Sequence, residues 1–206
     1  MGKVIGICCI LLGVLCILAS SGFVVYNKLE TQNAEQFSQT LLQDVQEQMK
    51  QGTFAEAEQS EELFPMDLQA AGPREMVTVP AGAYSSIGVL KIPALELELP
   101  VLTDWSYEKL KKAPCHYYGS CYESDFVIAA HNYTSHFGRL SELQPGDLVL
   151  FTDGAGEIHG YEVVLLETLA PTATEEMITS GFDLSLYTCT PGGSNRVTVR
   201  CNAVSN

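Results

Sequence analysis

The chain is short of positive charge: its 206 residues carry 11 Lys and Arg against 25 Asp and Glu, a formal net charge of −14. The deficit is general, with −7 on residues 27–80 and −8 on residues 81–206, and Lys3 alone before them. No basic stripe exists to meet a phosphate backbone, so nucleic acid is excluded as a partner. Acidity of this kind suits a soluble surface outside the cell. Metal-ligand spacing is missing too. The seven Cys include no Cys-x-x-Cys pair and fit no common zinc pattern. No internal repeat is visible, which removes repeat architectures.

Charge is absent altogether from residues 4–26. As a helix at about 1.5 Å per residue this run spans roughly 35 Å, enough to cross a bilayer. Lys3 and the amino terminus precede it, and Lys28 and Glu30 follow. That bias favours a cytoplasmic N-terminus and an external remainder. A cleaved signal peptide is the competing reading, with Ala19-Ser20-Ser21 as its cleavage patch. Its apolar core is usually only about 7–15 residues, so an uncleaved single-pass anchor over residues 1–28 is expected. Cys8, Cys9 and Cys16 then read as lipid-facing apolar residues.

Residues 29–80 read as a helical stalk and linker. Phe37, Leu41, Val45 and Met49 recur every four residues beside Leu42, the pattern of an amphipathic helix, and Gly52 is a reasonable stop. Pro65, Gly72, Pro73 and Pro80 mark residues 53–80 as a linker. From residue 81 the pattern changes to strands. Residues 87–93 precede a strict apolar–acidic alternation over 95–102, and 126–130 form a continuous apolar run of the kind buried on both faces. Residues 148–151 and 161–166 flank a turn-rich link, and 184–189 and 196–201 flank Pro191-Gly192-Gly193. Only 104–112 and 138–143 read as short helical turns. Many short strands between turn residues predict an all-β, closed or sandwiched domain over 81–206.

Three side chains stand at strand ends. Cys189 closes Ser185-Leu186-Tyr187-Thr188-Cys189, and Arg196 opens the next strand, seven residues on. His131 closes the run Phe126-Val127-Ile128-Ala129-Ala130. A hairpin brings Cys189 and Arg196 together. From the residues alone, Cys–His nucleophilic catalysis and an ordinary core Cys and His remain equally open. Cys115 and Cys121 flank a turn, and a disulfide and two unpaired thiols are equally open for them.

Taken in order, these segments resemble the sortase family, the membrane-anchored cysteine transpeptidases of Gram-positive surfaces. The family's Thr-Leu-x-Thr-Cys motif is matched by Ser185-Leu186-Tyr187-Thr188-Cys189, and its Ala-Gly-His by Ala129-Ala130-His131. Arg196 matches the Arg of the following strand, residues 87–93 the first strand, and Pro145-Gly146-Asp147 a usual turn, so the resemblance covers about residues 84–203. It departs in Ser185, in Ala130, in a short Cys–Arg loop, and in a 167–184 segment with little room for a long helical insertion, and is read as class A- or D-like.

The resemblance implies a closed sortase-type β-barrel and a transpeptidase that cuts a Leu-Pro-x-Thr-Gly-like sorting signal on surface proteins. The acyl group would pass through a thioester on Cys189 to an amine of a cell-wall precursor. His131 would be the general acid/base and Arg196 the cation for the oxyanion or substrate backbone, with Arg200 the alternative cation. Thr188 and Asn132 would serve substrate binding. No cofactor is required, although Glu96, Glu98, Glu123 and Asp125 echo the calcium site of some members. The rivals are a hydrolytic cysteine peptidase without acceptor and a non-catalytic surface module. The expected location is the cell membrane, with the catalytic domain extracellular.

Overall fold

The structure is a computed structural model that describes residues 2–59 and 74–204. Residues 60–73, half of the expected 53–80 linker, and the side chains of Cys8 and Cys9, lie outside the described residues, while residues 53–59 continue the N-terminal helix past the expected stop at Gly52. The chain divides into two compact units, Met1–Asn33 and Ala34–Asn206.

The first unit is the N-terminal part of helix α1 (Gly2–Gln59). Its described apolar side chains, among them Ile10, Leu15, Leu18, Phe23 and Val24, are exposed. Among the described residues, α1 is the one helix long and apolar enough to cross a membrane. It is a candidate membrane anchor.

The second unit is a barrel. Its strands are β1 (Val79–Ala81), β2 (Tyr84–Ile92), β3 (Leu97–Leu102), β4 (Cys115–Tyr118), β5 (Phe126–Ala129), β6 (Leu148–Asp153), β7 (Ile158–Leu169), β8 (Leu184–Cys189) and β9 (Arg196–Ala203). Short helices α2 (Tyr107–Leu110) and α3 (Thr174–Ile178) interrupt them. The sheet runs β1-β2-β3-β4-β5-β8-β9-β7-β6, and β2 also pairs with β6, so the strands from β2 to β6 close a ring. All neighbours are antiparallel except β3–β4 and β5–β8.

Closure depends on one glycine. Gly88 has φ +147 beside a register shift in β2, and a Cβ there would lie 2.1 Å from the Thr152 carbonyl oxygen of β6. Only a residue without a side chain lets the two backbones pair. Buried Ser86 serves the bulge: its hydroxyl accepts from Gly88 N at 3.1 Å and reaches Val101 O at 2.8 Å.

The barrel interior holds Leu90, Ile92, Phe126, Ile128, Phe137, Phe151, Leu184, Leu186 and Val199. All four residues of β5 are buried, as a continuous apolar run requires. Its outer residue Val127 packs with Leu169 and Met177 in a separate cluster. From Ala34 onward α1 packs on the barrel: Leu41, Leu42 and Val45 are buried with Val79, Val89, Leu102 and Cys115. Gln46 also donates to Glu98 at 2.7 Å. The compact unit begins at Ala34, and within it the amphipathic face of the helix finds its apolar partner on the barrel.

Candidate active site

Three neighbouring strands end together. β5 runs parallel to β8 with Ala129 opposite Tyr187, and Ala130 N donates to Tyr187 O at 3.1 Å. β5 ends at Ala129, and His131 follows in the loop one residue after Ala130; it is not among the residues that line the outer groove. On the other side β8 pairs with β9, with Cys189 directly opposite Arg196. Cys189 and Arg196 thus stand side by side where β8 and β9 meet their loop, and β5, the neighbour of β8, leads at the same end into the loop that carries His131.

Strand alternation decides which way each points. Leu184 and Leu186 face the barrel core, so Ser185, Tyr187 and Cys189 face outward. Thr188 faces inward, is 3% exposed, and donates its hydroxyl to Ala130 O at 2.9 Å. It ties β8 to the residue before His131, and it does not line the outer groove. Asn132 is half-buried and is likewise not in that groove.

The groove, about 210 Å³, has Cys189 and Arg196 among its lining residues. Ala129 and Ala130 lie beneath, α3 offers Met177, and Trp105, Tyr117 and Tyr187 form an aromatic wall. The wall is continuous: ring centroids are 5.6 Å apart for Trp105–Tyr117 and 5.3 Å for Tyr117–Tyr187. Arg196 curls over its own turn, its Nη1 donating to Gly193 O and Asn195 O at 3.1 Å. The other guanidinium donors stay available for a ligand. Gly192 and Gly193, at φ +84 and +77, make that tight turn affordable to the backbone.

His131 stacks on Tyr133 with centroids 4.1 Å apart and planes within 10°. Behind it His136 is fully buried, 5.5 Å from Tyr133, with no hydrogen bond to either ring nitrogen. Burial, and then the neighbouring His131, push His136 down to about 4, so it is neutral at physiological pH.

Arg200, the alternative cation, is engaged elsewhere. It is 2% exposed, and Nε donates to Glu167 at 2.7 Å while Nη1 donates to Ser185 at 2.7 Å. The remaining thiols are also removed from chemistry. Cys115, Cys121 and Cys201 are free and buried, and desolvation pushes each up to about 12. Cys115 faces α1 and Cys121 the barrel interior, in separate clusters. Cys189 alone among these four is half-buried.

The four acidic residues of the calcium echo are dispersed in their bonding. Glu98 binds Gln46 and Lys91, and Asp125 accepts from Ser180 and Gly181. Among the described residues the group with metal-ligand proximity is Cys121, Asp153 and His159. There Asp153 already accepts from Ala155 N, Glu157 N, Tyr122 and His159, which makes it the hub of the β6–β7 turn.

Comparison with known proteins agrees with this geometry. The Sortase domain family model matches residues 90–204. No curated protein is significantly similar. Among solved structures, the chain is similar to sortase C1 from Streptococcus suis, at 30% identity and TM-score 0.52 over 59% of this chain and 74% of that one. It is similar to sortase C1 from Streptococcus agalactiae at 27% identity and TM-score 0.52, over 59% and 68%. A sortase D5 transpeptidase from Clostridium perfringens shares the fold at 17% identity, with TM-score 0.59 over 82% and 99%.

Proposed function

The chain belongs to the sortase family and is a cysteine transpeptidase, and we propose that Cys189, His131 and Arg196 carry its acyl transfer. The observation that supports this most is the pairing of Cys189 with Arg196 at the mouth of an apolar groove, with β5, whose chain runs on to His131, as the neighbour of β8.

In the proposed reaction the Cys189 sulfur, as thiolate, attacks the carbonyl carbon of the scissile peptide bond. The oxyanion of the tetrahedral intermediate meets the Arg196 guanidinium, which is charged at every relevant pH. As the intermediate collapses, the C–N bond breaks and His131 gives its proton to the departing amine, leaving a thioester. An acceptor amine then attacks the thioester carbon, His131 takes the amine's proton, and the Cys189 thiolate leaves. Each role is filled by a side chain of this chain, and no cofactor enters. Thr188 acts by holding the end of β5, and Asn132 belongs to the loop that carries His131.

The substrate is a Leu-Pro-x-Thr-Gly-like sorting signal, and the acceptor an amine of a cell-wall precursor. The aromatic wall and small floor residues support an apolar side chain followed by proline, which pack well on flat rings. The catalytic unit lies outside the cell and α1 holds it to the membrane with its N-terminus cytoplasmic. The test uses the full chain in detergent with a library of pentapeptide signals and a glycine-type amine. Ligated product that disappears in Cys189→Ala supports the reading. Carboxylic acid alone, at saturating amine, overturns the transfer step.

A further inference from the structure

Arg200 has more partners than any other cation described, and none of them is in the reaction. Besides Glu167 and Ser185, its Nη2 donates to Glu176 O at 2.8 Å and its Nη1 to Met177 O at 3.4 Å. Those two carbonyls belong to α3, which spans Thr174–Ile178 and carries no side-chain cap at its start. The last carbonyls of a helix have no partner within it, and a helix this short has no stability of its own. Arg200 supplies two donors to them from the sheet below. The guanidinium is held in turn by β7 through Glu167 and by β8 through Ser185, its cross-strand partner. Such a fork spans four acceptors at once; an ammonium does not.

What α3 carries makes this matter. Met177 and Thr174 line the groove together with the aromatic wall. The same strand therefore presents Arg196 to the groove at its first residue and pins the groove's α3 wall four residues later.

We infer that Arg200 is a positioning residue that sets where α3 stands and thereby which apolar side chain of the peptide the groove accepts. This rests on the acyl-transfer reading above for its substrate, but the clamp itself does not. An arginine that served stability alone would, when altered, lower the folded fraction and with it apparent kcat and alkylation, leaving KM and discrimination in place.

The experiment compares wild type, Arg200→Lys and Met177→Ala as full chains in detergent. Peptides differ only in the apolar residue before proline, Leu against Ala, and Cys189 alkylation by iodoacetamide reads the nucleophile separately. Arg200→Lys keeps a charge for Glu167 and loses the fork. It is expected to raise KM for the Leu peptide about tenfold and to cut Leu-over-Ala discrimination to about the Met177→Ala level, a loss typical of one misfitted apolar contact. Its kcat and alkylation rate stay within about twofold of wild type. Amide exchange over residues 174–178 should quicken in Arg200→Lys while β8 and β9 keep their rates. Unchanged α3 exchange, or kcat and alkylation falling together with KM and Leu-over-Ala discrimination unchanged, overturns the inference. Quickened α3 exchange in a protein that turns over no peptide upholds the clamp and overturns the acyl-transfer reading instead.

Discussion

Cys189 and Arg196 are direct cross-strand partners at the loop end of the β8–β9 hairpin, so thiol and guanidinium leave the sheet on one face. Arg200 sits on the same face further down β9 and is buried. The two arginines therefore separate by environment, one held only by loop carbonyls and the other committed to an ion pair and three further acceptors.

Replacing each in turn should separate function from stability. Arg196→Ala is expected to lower kcat by about 10²–10³ while leaving stability within about 0.5 kcal/mol. Arg200→Ala is expected to cost about 3–5 kcal/mol of folding free energy, because Glu167 and two helix carbonyls lose their partner in a buried site. Urea unfolding and peptide kinetics on the same samples check both. A larger kcat loss at Arg200 with unchanged stability would reverse the assignment.

Alkylation tests the nucleophile without any substrate. Cys115, Cys121 and Cys201 are held protonated by burial near 12, so iodoacetamide should label Cys189 first in the folded chain. His131→Ala is expected to slow that labelling, since the imidazole is the proposed proton acceptor, and to reduce peptide cleavage by at least about 10². Mass spectrometry of the labelled cysteines decides. Equal labelling of all four would contradict the burial argument.

Much of this was legible from sequence, and the rest failed for identifiable reasons. The apolar run ending at His131 and the Pro191-Gly192-Gly193 turn were enough to find β5 and the β8–β9 hairpin, because period and turn chemistry are local. The spacing of Leu41, Val45 and Met49 showed an apolar helix face but not what covers it, since Val79, Val89 and Leu102 are distant in the chain. The resemblance gives Thr188 to substrate binding, whereas alternation puts it on the opposite face of β8 from Cys189. The job of Arg200 was invisible, because it depends on a five-residue helix whose carbonyls the sheet must reach.

Barrel closure makes its own prediction. A Cβ on residue 88 would meet Thr152 O at 2.1 Å and Asp153 Cα at 2.9 Å, both backbone atoms of the closing strand. Neither can yield without parting β2 from β6. Gly88→Ala is expected to destabilise the protein by more than about 3 kcal/mol, and the same change at exposed Gly138 is not a fair control because a Cβ there would also meet backbone, Asn132 O at 2.6 Å. Gly160 is the proper control: its nearest neighbour is a Leu150 side-chain carbon at 3.9 Å, and Gly160→Ala should stay within about 1 kcal/mol. Thermal unfolding of the two variants side by side checks the difference.

The buried His136 ties stability to pH with a definite sign. Burial, followed by the neighbouring His131, lowers it from 6.5 to about 4 in the folded chain. Between those values the unfolded chain binds a proton that the folded chain refuses. Stability is therefore complete above about pH 6.5 and is lost as the pH falls through the window toward 4, by on the order of 3 kcal/mol. Carboxylates such as Asp104 and Glu142, held low by Lys109 and Arg139, lose their own contributions on further acidification. The difference between wild type and His136→Phe isolates the histidine, because the aromatic ring keeps its place against Tyr133 and cannot titrate. Unfolding free energies measured at pH 7 and pH 4.5 should fall more steeply in wild type than in His136→Phe. Parallel lines for the two proteins would mean that His136 takes up its proton in the folded state as readily as in the unfolded one.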